Sequence, residues 1–253
     1  MNDPTASFTT LRHSAQEFFL TFLLLFGVAT IVRWVIGPSA VSDALPGIQL
    51  KLLVVGVAVG LLVVALIMSP AGKRSGGHMN PAISFAMWRY GVFPGSAVAP
   101  YIVAQLAGSL LGVLAGRGVW GSVAGAPPVA HAALQPAPGW SATGLFLAET
   151  LSMGVIVLLV GLFLSIPRLG RFIPYLVGLL IALAIVLLGT STGGSVNPAR
   201  QFGPALAAGQ YAFLWVYLLA PMLGALLAQP VRDLLLGHRQ VVTHRLHGAH
   251  IHG

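Results

Sequence analysis

The decisive stretches are SGGHMNPAISFA at residues 75–86 and STGGSVNPARQFGPA at residues 191–205. Each has a Gly-rich lead-in followed by Asn-Pro-Ala, at Asn80-Pro81-Ala82 and Asn197-Pro198-Ala199. Asn is a favoured helix N-cap, and Pro at the first helical position loses nothing because its missing N–H would have no intrahelical partner. Both motifs therefore predict helix starts. A helix from Pro81 to Arg89 has about ten residues and covers roughly 15 Å, half of a bilayer core about 30 Å thick. A second helix after Pro198 supplies the other half. Two short helices entering from opposite faces and meeting at their N-termini then fill the depth of one span.

The rest of the chain supplies a membrane for them to enter. Of its 253 residues 57% are apolar and 7% charged, with a mean hydropathy of +0.89. A soluble domain carries about 25% charged residues, so the outer surface must face lipid. Six stretches meet or approach the roughly 20 apolar residues that a spanning helix needs, at 18–36, 52–68, 97–116, 144–166, 172–188 and 212–228. The expected fold is an all-α membrane protein of six transmembrane helices plus two re-entrant half-helices. It forms one channel domain over 1–253, with repeats at about 15–117 and 142–230 and tails at 1–14 and 231–253. With three spans per repeat, the second half enters the membrane inverted, and inverted repeats put their functional site at the midplane. The Gly-, Pro-, Ala- and His-rich segment 117–141 reads as a surface linker.

A net charge of +8 raises nucleic acid as a partner, but the basic residues sort by loop rather than into an aromatic-interleaved patch. With the N-terminus cytoplasmic, Arg12, Lys73, Arg74, Arg89, Arg168, Arg171, Arg232, Arg239 and Arg245 fall inside. Arg33, Lys51, Arg117 and Arg200 fall outside or within the channel. That bias predicts a multi-pass cell-membrane protein with both termini cytoplasmic. No cysteine occurs, so there is no disulfide framework or cysteine metal site. The first apolar stretch is long enough to span, so no cleaved signal peptide is expected. The tail 240–253 carries His244, His247, His250 and His252 at spacings that match no closed metal site. Neither metal nor cofactor is expected.

Non-helical backbone at membrane depth is tolerated only where protein buries it or a cavity wets it. The carbonyls of Gly76, Gly77, His78, Gly193 and Ser195 are therefore expected to line a pore. Each helix N-terminus carries about half a positive charge, which repels a cation, and the Asn80 and Asn197 amides offer N–H groups to a passing oxygen. Arg200 is a cation at membrane depth, which usually marks a pathway. Glu17 and Glu149, one per repeat, are expected as structural acceptors for N–H groups of the two Gly-rich loops. Gly56, Gly60, Gly108, Gly112 and Gly116 form small-xxx-small stripes for helix packing.

These residues resemble the major intrinsic protein family, the aquaporins and glycerol facilitators, over nearly the whole chain from the Glu17 segment to the sixth span. The resemblance implies a tetramer with one pore per monomer and a four-residue filter. Arg200 matches the family arginine, Gly194 the second loop position and Ile185 the fifth-span position, where water-selective members carry His. Val59 or Gly60 takes the second-span position. Gln201 replaces the Asp that follows the arginine in glycerol facilitators, Ala205 looks like the water channels, and Leu218 stands where those usually carry Trp. The expected function is passive conduction of water and other small neutral solutes such as glycerol, urea, ammonia or hydrogen peroxide, with protons and ions excluded. The alternatives are a strictly water-selective channel and, more remotely, a secondary transporter built on inverted repeats. Residues 189–193 match G-x-S-x-G, but that motif needs a strand-turn-helix setting and a nearby base, so no enzyme is expected.

Overall fold

The structure is a computed structural model that describes residues 4–237, with side chains from Thr9 onward. Its principal helices are α1 (Pro4–Val35), α2 (Gly47–Met68), α3 (Pro81–Arg89), α4 (Gly95–Trp120), α5 (Ala142–Leu164), α6 (Ile173–Leu188), α7 (Pro198–Ala208) and α8 (Leu214–Leu236). No strand occurs among the described residues. Among the described residues, six helices are long and apolar enough to cross a membrane. One of them becomes so only because a 3₁₀ turn at Pro167–Phe172 extends α6. Leu61, Val103, Leu151 and Leu187 are 65–70% exposed, a surface suited to lipid and not to water.

The helix ends differ from the expected spans where polarity and propensity part company. α1 starts at Pro4 instead of near residue 18, and α8 runs to Leu236. Polar residues such as Thr9 and Gln16 end a hydrophobic stretch without breaking a helix. The segments expected as tails are thus helical at 4–14 and 231–236. The His-rich tail, Arg239 and Arg245 lie outside the described residues.

Packing follows the repeat. α1 lies along α4, α5 lies along α8, and α2 meets α6 across the repeat boundary. Small residues allow these approaches. A Cβ on Gly108 or Gly112 would run into the backbone carbonyls of Phe18 or Phe22 on α1. One on Gly60 would come within 2.6 Å of the Gly178 carbonyl on α6. The half-helices are exchanged between repeats: α3 packs on α8, and α7 on α4. This crossover brings the two Asn-Pro-Ala motifs together at the centre.

Candidate functional site

The N-caps of α3 and α7, one from each repeat, form matching arrangements. The Asn80 Oδ1 accepts the Ala82 N–H at 2.9 Å, and the Asn197 Oδ1 accepts those of Ala199 at 2.9 Å and Arg200 at 3.2 Å. Each amide nitrogen then reaches across the junction. Asn80 Nδ2 donates to the Val196 carbonyl at 3.0 Å, and Asn197 Nδ2 donates to the Met79 carbonyl at 2.9 Å. An Asn amide has two N–H groups, so one is spent on this cross-link and one is left. Pro81, Ala82, Pro198 and Ala199 are all buried behind the caps.

Two carboxylates hold the loops that lead into these caps. Glu17, fully buried, accepts the Ser75 hydroxyl at 2.7 Å, the backbone N–H groups of His78 at 3.0 Å and Met79 at 2.7 Å, and Gln105 Nε2 at 2.9 Å. Glu149, also fully buried, accepts the N–H groups of Ser195 at 3.2 Å and Val196 at 2.8 Å. Met79 and Val196 have φ of +48° and +44°, a region that side-chain-bearing residues rarely adopt. A carboxylate oxygen on each N–H offsets that cost. Tyrosines complete the symmetry, with Tyr101 Oη donating to the Ser75 carbonyl at 2.8 Å and Tyr217 Oη to the Thr192 carbonyl at 2.6 Å. The sequence reading missed Gln105, Tyr101 and Tyr217. Only the span positions they share with buried polar neighbours could have pointed to them.

An axial cavity of about 260 Å³ opens on the Asn197 side. Val59, Ile185, Gly193, Gly194, Ser195, Asn197 and Arg200 line it, with Leu24, Val28, Val55, Val63 and Ile181 making most of the remaining wall apolar. Of the two second-span candidates, Val59 faces the cavity, whereas Gly60 packs on Gly178. Gly60 does not line the cavity. Gly194 has φ of +62°, and a Cβ there would sit 2.5 Å from the Ala184 carbonyl, so glycine is needed for both conformation and space. On the Asn80 side, Gly76 and Gly77 take φ of +104° and +59°. The His78 ring contacts Ser84 Oγ at 3.0 Å and meets Phe93 and Tyr101 edge-on or tilted.

The segment after α4 is no plain surface linker. Val129, His131 and Ala132 are buried, and Val129, Ala132, Ala133 and Leu134 line the cavity. Arg200 Nη1 donates to the Ala132 carbonyl at 2.7 Å. Burial, with Arg117 contributing, holds the His131 imidazole below its ordinary pKa. Low hydrophobicity and high Gly and Pro content concealed this inward fold, because it rests on backbone carbonyls that every residue possesses.

Six spans around two capped half-helices that meet beside an axial cavity define a membrane channel. The chain matches the family described as "Major intrinsic protein" over residues 5–231. It is 33% identical over 219 residues to the protein named "Probable aquaporin NIP7-1" of Arabidopsis thaliana, covering 86% of this chain and 74% of the relative. It is 32% identical over 236 residues to "Aquaporin AqpM" of Methanothermobacter marburgensis, covering 86% and 94%. The solved aquaglyceroporin of Plasmodium falciparum superposes with a TM-score of 0.72 at 25% identity, over 90% of this chain and 97% of that one. This chain belongs to the major intrinsic protein family, and it is a membrane channel, not an enzyme.

Proposed function

We propose that this chain conducts water and, beside it, small neutral solutes of the size of glycerol, urea, ammonia or hydrogen peroxide, while excluding ions and protons. One observation carries the solute reading. Val59, Ile185 and Gly194 line the same cavity as Arg200, and each of the three is small or apolar. A solute with an apolar flank fits against Val59 and Ile185 while its hydroxyl or amide accepts from Arg200.

Ion exclusion follows from the junction. At about 5 Å and an effective dielectric of about 20, each half-helix N-terminus repels a monovalent cation by roughly 1.7 kcal/mol. The loss of hydration adds to that barrier. The second N–H of each Asn donates to a passing water oxygen. A water so held donates outward in both directions along the file and interrupts proton hopping. On this reading Arg200 repels cations at the extracellular mouth, both termini are cytoplasmic, and four copies assemble with one pore each, as in the family.

Stopped-flow shrinkage of proteoliposomes under sucrose, glycerol and urea gradients tests the proposal. Fast water efflux with a low activation energy, followed by reswelling as solute enters, is expected. Water flux with no solute entry would instead establish a strictly water-selective pore.

A further inference from the structure

We infer that Gln201 is the positioning residue that sets the width of the filter, by clamping the 129–135 segment against which Arg200 is braced. Gln201 follows Arg200 on α7 and is 1% exposed. Its Oε1 accepts the Leu134 N–H at 3.0 Å and its Nε2 donates to the Leu134 carbonyl at 2.8 Å, so one side chain satisfies both polar groups of one backbone residue. Two residues earlier, the Ala132 carbonyl accepts Arg200 Nη1 at 2.7 Å. Neighbouring side chains of one half-helix therefore grip one segment at two points.

Two further observations make the clamp decisive. Ala130, His131 and Ala132 have φ of +42°, +56° and +60°, three consecutive left-handed residues with no glycine among them. Such a conformation persists only where its surroundings impose it. Leu134 and Gln135 also line both the axial cavity and a second cavity of about 400 Å³, whose wall includes Gln201, Gln210, Tyr211 and Phe213. The segment thus borders two voids. The Leu134 side chain packs on Gly193 and beside the Leu145, Val216 and Tyr217 cluster, while the paired hydrogen bonds to Gln201 fix its backbone. Without them, the backbone has room to retreat into the second cavity and take the Ala132 carbonyl with it. Arg200 then loses its brace, and the cavity widens on the side facing Val59 and Ile185.

This rests on the proposed reading of Arg200 as part of the filter, so the test includes that residue. Full-length wild type, Gln201→Leu, Gln201→Glu and Arg200→Ala are reconstituted, and permeabilities to water, urea, glycerol and erythritol are measured by stopped flow. In Gln201→Leu, which keeps the bulk and removes both bonds, the erythritol-to-water ratio is expected to rise roughly 5-fold, about the worth of one net hydrogen bond. Gln201→Glu keeps the acceptor for the Leu134 N–H and loses the donor, and it should fall between. A merely structural role would lower thermal stability and leave the ratio alone. A nitroxide on Gln135→Cys, in a sequence with no other cysteine, should become more mobile in the Gln201→Leu background. Unchanged ratios in both Gln201 variants, with a changed ratio in Arg200→Ala, would overturn the clamp and leave the filter reading intact. Unchanged ratios in Arg200→Ala would overturn the filter reading itself.

Discussion

Replacing Asn197 by Asp tests the electrostatic barrier where its geometry is clearest. The Asn197 Oδ1 already accepts the N–H groups of Ala199 and Arg200, and Nδ2 donates to the Met79 carbonyl at 2.9 Å. An ionised Asp keeps the cap and loses the donor. It places a full negative charge where two half-helix ends together repel a cation by about 3.3 kcal/mol at ~5 Å and a dielectric of ~20. A carboxylate at the same distance attracts by about the same amount, so the central barrier is cancelled. At 1.36 kcal/mol per decade, that is roughly a 250-fold gain in cation permeation. Arg200 remains as a second barrier, so the full effect belongs to Asn197→Asp combined with Arg200→Ala. A protonated Asp donates its own O–H to Met79 and restores a neutral junction, so the leak should grow as pH rises through the carboxyl's pKa. Sodium and proton fluxes into dye-loaded proteoliposomes measure it, with water permeability as the check on folding. A double variant that conducts water yet stays as cation-tight as wild type from about pH 5 to about pH 9, well above an ordinary carboxyl pKa, would refute the reasoning.

Glu149→Gln replaces one of two acceptor oxygens by a donor that faces the N–H groups of Ser195 and Val196. It should cost about 1–3 kcal/mol, read as a lower thermal midpoint in detergent, and an unchanged midpoint would contradict the loop-holding role. Gly60→Ala drives a Cβ into the Gly178 carbonyl and should destabilise by about 1–3 kcal/mol without altering solute preference. Val59→Phe should cut glycerol entry while sparing water, and reswelling assays on both variants separate packing from filter. His131 is buried with its Nδ1 unpartnered and its pKa held low by burial, with Arg117 contributing. The unfolded chain therefore binds the proton more readily. Stability is complete above about pH 6.5 and falls as pH drops below it toward the depressed folded pKa. Thermal melts of wild type and His131→Gln across that window should diverge only on the acid side.

Much of the molecule was legible in the residues because it depends on local or compositional physics. Lipid burial requires long apolar runs, and Asn before Pro caps a helix whatever surrounds it. Those two facts produced the six spans, the half-helices at Pro81–Arg89 and after Pro198, and their duplication.

What tertiary structure decided was contact across distance. One residue of register separates Val59, which faces the cavity, from Gly60, which packs on Gly178, and both are small apolar residues that a sequence cannot orient. The Asn80 and Asn197 amides look free in one dimension, yet each is half-used by a carbonyl more than a hundred residues away. Ala132 and Leu134 carry no chemical signature, because what they offer to Arg200 and Gln201 is backbone. Side-chain chemistry named the channel. The fold alone determined which anonymous carbonyls complete its mouth.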